Sequence, residues 1–178
     1  MPKPHQSAEG TGLSWALFGL LCFFPPVLAE GLEFSADDII TVTALRAWEG
    51  DAAEVVHFSG DFKLQAPDWT LAGDTAVVYG KLDDPDRVVV EGAPARISFL
   101  RQAEANDGGL EEDERVDGSA TTVEYFRATD KLKMQGGASL TRKDSTLVSE
   151  TIEYDVDADR YSASGEGGIN IQYNPEDD

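Results

Sequence analysis

The chain has 178 residues and a formal net charge of −20, from 34 acidic against 14 basic side chains. So negative a polymer repels nucleic acid and anionic membranes, and bulk attraction does not draw phosphate to it. Its single cysteine, Cys22, sits in an apolar leader, so the remainder is expected to form no disulfide.

Residues 1–12 are polar, Leu13 to Phe24 is an apolar run, and Pro25 and Pro26 end it. Val27, Leu28 and Ala29 then present small or modest side chains where a signal peptidase reads. This order is that of an export signal, residues 1–29, cleaved after Ala29. About twelve apolar residues fall short of the roughly 20 that a membrane-spanning helix needs. Leu21 stands before Cys22 where lipoprotein processing would want a small residue. The remaining 149 or so residues suffice for one domain with a real core.

From Asp37 to Ala47 a capping start competes with Ile39, Ile40, Thr41, Val42 and Thr43, whose branched side chains favour strand. Strands with a central glycine then recur, around Gly60, Gly92, Gly136 and Gly165. In the first, Val56, Phe58, Phe62 and Leu64 alternate with His57, Ser59, Asp61 and Lys63. In the third, Leu132, Met134, Ala138 and Leu140 alternate with Lys131, Lys133, Gln135 and Ser139. Period two with one oily and one wet face is the signature of a half-buried strand. Leu71 to Tyr79, Thr121 to Phe126 and Val148 to Val156 supply further strands.

Larger blocks repeat as well. A step of 76 residues carries Gly60 to Gly136, Asp68 to Asp144, Leu71 to Leu147 and Asp74 to Glu150. Aspartate-rich corners such as 83–87 and 157–160 read as hairpin turns, where the short carboxylate bonds its own backbone. An acidic stretch, residues 103–115, reads as a solvated linker between the halves, and the tail 175–178 reads likewise. No segment has useful helical periodicity, so the chain is all-β.

Leu32-Glu-Phe-Ser-Ala-Asp37, Val56 to Leu64, Thr70 to Tyr79, Val89 to Ala95, Val116 to Tyr125 and Leu132 to Leu140 follow in an order and spacing that resembles the OstA-like (LptA/LptC-like) family of lipopolysaccharide-transport proteins. The likeness covers residues 32–172. It implies an open, twisted β-jellyroll over residues 30–174, with about ten to sixteen antiparallel strands in two facing sheets. It also implies a periplasmic protein that binds lipopolysaccharide by its acyl chains and carries it from inner to outer membrane. The implied partners are LptC-like and LptD-like jellyrolls at either membrane and further copies of the chain, joined head to tail. A membrane-tethered LptC-like component is the neighbouring branch, distinguished by a retained N-terminal helix.

By resemblance, Leu32 and Phe34 touch lipid at the groove entrance, and Ile97, Phe99 and Tyr125 are interior contacts. Phe58, Phe62, Leu64, Leu132, Met134 and Leu140 complete the oily face. Ile169, Ile171 and Tyr173 form the last strand, an edge open to a partner. The basic residues, among them Lys63, Arg96, Arg101, Arg142 and Lys143, are scattered along the sequence. Phosphate recognition is therefore not expected from charge alone, although divalent cations can bridge carboxylates to lipid phosphates.

Chemistry of another class has little support. His57 is the one histidine after the leader, and there is no GxSxG elbow and no metal-ligand spacing. No enzyme activity, cofactor or metal is expected. A secreted calcium- or carbohydrate-binding β module is the alternative from outside the family.

Overall fold

A computed structural model describes residues 39–101 and 113–173. The leader, Leu32 and Phe34, the acidic segment up to residue 112 and the tail 175–178 lie outside the described residues. Ten strands follow one another: β1 (Thr41–Thr43), β2 (Arg46–Glu49), β3 (Val55–Gln65), β4 (Trp69–Lys81), β5 (Asp84–Arg101), β6 (Glu114–Phe126), β7 (Lys131–Arg142), β8 (Ser145–Asp155), β9 (Arg160–Ser164) and β10 (Asn170–Tyr173). A 3-10 turn, Arg127–Thr129, joins β6 to β7.

All ten strands belong to one antiparallel sheet, with β3 to β8 in sequence order across it. At one edge β1 and β2 each pair with a different part of β3, and at the other β9 and β10 divide β8 in the same way. The two facing sheets expected from the sequence are therefore one hydrogen-bonded sheet folded on itself.

A crease crosses that sheet. Every ladder from β3·β4 to β7·β8 breaks register near its middle, at Ser59/Phe62, Ala72/Thr75, Glu91/Ala95, Ser119/Thr122 and Gln135/Ala138. Such breaks bend a strand and increase its local twist. Gly60 and Gly136 lie on the crease at φ of 80° and 83°, a region that residues with a Cβ enter only under strain. Each strand thus contributes one half to each of two layers.

Ring contacts show the layers meeting. Phe99 of β5 and Tyr154 of β8 lie three strands apart in the sheet, yet their rings are 6.0 Å apart. Trp69 at the start of β4 approaches Tyr125 near the end of β6 at 6.5 Å. In a flat sheet, strands about 4.8 Å apart would hold Phe99 and Tyr154 roughly 14 Å from each other. The space between the layers is the core, and the largest fully buried side chains in it are Tyr125, Tyr154, Phe62, Leu64 and Leu71.

Candidate functional site

Register converts the alternation of each strand into rows that run across the sheet. In one layer Val42, Leu64, Leu71, Ile97, Gly118, Leu140, Leu147 and Ile171 stand opposite one another in turn. In the other layer the row is Ala47, Phe58, Ala76, Val90, Val123, Met134, Ile152 and Ala163. Both rows face inward. Eight strand positions about 4.8 Å apart make an apolar path roughly 34 Å long.

Of the residues expected to line a lipid path, Phe58, Phe62, Leu64, Ile97, Phe99, Tyr125, Leu132, Met134 and Leu140 come together in this one core. Gly118 is on the same face because nothing larger fits: a Cβ there would stand 2.7 Å from Met134 Sδ and 2.8 Å from Ile97 Cγ2. The layers are in contact, so the path is filled by its own side chains along its middle.

The end beyond β8 is open among the described residues. Leu147 is 4% exposed, but Ile171 beside it is 58% exposed and Tyr173 66%. Tyr161 continues the row of Leu132 and Tyr154 in the opposite layer and is half exposed. Ile169 precedes β10 and is exposed too. Among the described residues β10 pairs only with β8, and its inward side chains extend the oily rows into solvent.

Along the lips, where strand ends from the two layers meet, the interior turns ionic. Glu114 and Arg101 are paired across β5 and β6, two positions beyond the inward pair Phe99 and Val116, with Arg142 opposite Val116. Glu114 is buried, and Arg101, Arg142 and Lys143 surround its carboxylate at 3.5, 3.9 and 3.8 Å. The β8–β9 turn of the other layer brings in Asp159, which pairs with Arg101 at 3.0 Å and with Arg142 more closely. Tyr154 donates its hydroxyl hydrogen to Asp159 at 2.7 Å, and burial pushes that phenol well above its usual pKa. Tyr125 makes the same bond to Asp130 of the preceding hairpin at 2.6 Å, with its pKa raised for the same reason.

The acidic segment was expected to run through 115, but Glu114 and Arg115 begin β6. Glu114 is buried there because three cations offset the loss of water around its charge. Partly exposed ion pairs contribute about 0–1 kcal/mol each. A fully buried large apolar side chain contributes about 1.5–3 kcal/mol. The apolar rows hold the layers together, and the ionic lip is a weaker latch upon them.

Outward faces differ in character. Lys63, Ala72, Arg96 and Ser119 share the row opposite to Leu64, and with Ser98 and Thr141 they line a cavity of about 520 Å³ whose surface is mainly hydroxyl and cationic. His57 belongs to the face of its strand that the alternation makes wet. It is on the outward side, but Trp48 stacks on it at 5.4 Å and 7° and half buries it. Sequence reasoning missed the lip cluster, because its members come from four separate elements. The alternation of Phe99 with Arg101 and of Glu114 with Val116 was the signal available.

A family profile described as LptA/(LptD N-terminal domain) LPS transport protein matches residues 41–160, which begin at β1 and stop where β9 starts. Among solved structures, the fold is similar to that of LptH from Pseudomonas aeruginosa, described as the LptA homologous periplasmic component of the conserved lipopolysaccharide transport device. The TM-score is 0.63 at 20% identity, over 77% of this chain and 96% of that one. No curated protein matches.

Proposed function

Because the chain belongs to the LptA/(LptD N-terminal domain) family of LPS transport proteins, we propose that it is a periplasmic bridge that carries lipopolysaccharide by its acyl chains from the inner to the outer membrane. The observation that carries this reading is the inward row from Val42 to Ile171, apolar from one sheet edge to the other and, among the described residues, uncapped at its end. A closed sandwich would cover its last inward residues; here they project from the edge strand. The row is wide enough for hydrocarbon only when the layers separate, so loading is coupled to opening of the lips. LptC-like and LptD-like jellyrolls are the partners this reading supplies at the two ends.

Photo-crosslinking groups at the inward, accessible positions Ile171 and Tyr161 test it. In the native envelope they are expected to capture lipopolysaccharide, whereas the same groups at the neighbouring outward positions Gln172 and Ser162 are expected to capture little. Equal capture on both faces would overturn the groove.

A further inference from the structure

We propose that Arg101 and Arg142 form a binding site for the anionic head of an amphiphile, and that Asp159 occupies it from within as an internal stand-in. The inference rests on the lipid-groove reading above and adds to it the chemistry at the lip. Arg101 follows Phe99 two residues further along the inward side of β5, and Arg142 stands opposite Val116 at the end of the same apolar row. A chain buried in that row would therefore present a head group to them. Asp159 reaches the same guanidinium groups from the opposite layer, through Oδ2 to Arg101 and through Oδ1 and its carbonyl to Arg142.

The balance of charge favours exchange. The ion pairs of the lip join three cations, Arg101, Arg142 and Lys143, to two carboxylates, Glu114 and Asp159. Distant carboxylates are screened beyond about 8 Å at physiological ionic strength. Each guanidinium has five N–H donors, and a phosphate offers more acceptors in a fixed geometry than one carboxylate does. Displacing Asp159 releases the β8–β9 turn from β5 and β7, which parts the lips at the place where the acyl chain must enter.

The hairpin before it serves as an internal comparison. Asp130 accepts a bond from Tyr125 as Asp159 does from Tyr154, and both aspartates have positive φ. Among the described residues no arginine ion pair to Asp130 accompanies that bond. The tyrosine link is thus a feature of the turn, and the arginines are an addition at Asp159.

Calorimetric titration of the exported chain with dodecyl phosphate and dodecyl maltoside, both kept monomeric, tests the site. Wild type is expected to bind the phosphate amphiphile more tightly. Arg101→Gln and Arg142→Gln should each weaken that binding about tenfold while leaving the maltoside within about twofold. Asp159→Asn, which keeps an acceptor for Tyr154, should strengthen binding of the phosphate amphiphile several-fold relative to the maltoside. Should the arginine variants fail to fold, the relative gain in Asp159→Asn decides alone. An equal gain for both amphiphiles would make Asp159 a latch only and overturn the anionic site. Inorganic phosphate binding as tightly as dodecyl phosphate would assign the site to a free anion and overturn the amphiphile. Binding of neither amphiphile would overturn the groove reading itself, and the site with it.

Discussion

Ile171 stands directly opposite Leu147 on the same face of the sheet, yet one is in the core and the other in water. The difference is coverage: Leu147 has β7 on its other flank, whereas Ile171 lies on β10, which pairs only with β8 among the described residues. A core that stops in this way leaves its oily rows ready to continue into something else. The crease, the filled interior, the ionic lip and the open edge each lead to a separate expectation.

At the crease, Gly136 has φ of +83°, and a Cβ would stand 2.7 Å from Thr121 Oγ1. Gly136→Ala meets both the left-handed penalty and the contact, so it should destabilise the fold by about 1–3 kcal/mol. Urea unfolding measures it; a change of less than 0.5 kcal/mol or so would mean that the bend does not need glycine.

In the interior, Leu132 is fully buried and stands opposite Tyr125 and Tyr154. Leu132→Ala should cost about 2–5 kcal/mol, from lost transfer energy and the cavity left behind. Asp159→Asn should cost at most about 1 kcal/mol, because its ion pairs are partly exposed. Denaturation midpoints of the two variants compare the core with the latch directly, and a larger loss in Asp159→Asn would reverse the ranking given above.

Alkaline pH acts on the tyrosines. Tyr125 and Tyr154 hold their protons in the folded state well above the ordinary tyrosine pKa of 10.0, chiefly through burial and then through the bonds to Asp130 and Asp159. The unfolded chain releases those protons near pH 10 or so, while the folded chain keeps them. Stability is therefore fully present below about pH 10 and falls as pH rises, by up to about 2.7 kcal/mol per pH unit for two protons. Tyr125→Phe and Tyr154→Phe should each remove about half of that slope in unfolding measured between pH 9 and 12 or so.

Much of the sheet was legible because its physics is local. Alternation in Val56 to Leu64 and in Leu132 to Leu140 identifies the inward side chains, and the glycines at 60 and 136 mark the bend. Two things were not local. Whether two layers form two sheets or one folded sheet depends on hydrogen bonds that run through the crease, and no residue type announces it. The lip cluster likewise unites Arg101, Glu114, Arg142 and Asp159 only after the sheet has folded, so in sequence they read as scattered charge on strand ends and turns. Glu114 illustrates the point, since a carboxylate at the end of an acidic run is exposed unless cations arrive from elsewhere in the chain.

The open edge leads to assembly. β10 and β1 are the terminal strands of one layer, each paired on a single side among the described residues, and their backbone groups on the other side have no strand partner in the sheet. Pairing β10 of one copy with β1 of the next would satisfy those groups and set Ile171 beside Val42, extending the apolar row from about 34 Å to twice that without a gap. The same contact draws together two chains of charge −20 and the acidic residues Glu176, Asp177 and Asp178, so it should be weak at low ionic strength and strengthen as salt screens the repulsion. Sedimentation velocity of residues 30–178 across a salt series is expected to show concentration-dependent oligomers. Removing residues 169–178 should abolish them while leaving the near-ultraviolet circular dichroism of the monomer intact, because β10 adds only exposed side chains to the core. Ile171→Asp should act similarly by placing a carboxylate in the continued row. A wild type that stays monomeric at every salt concentration, alone and with jellyroll partners, would overturn end-to-end assembly and leave the exposed row as a surface for lipid alone.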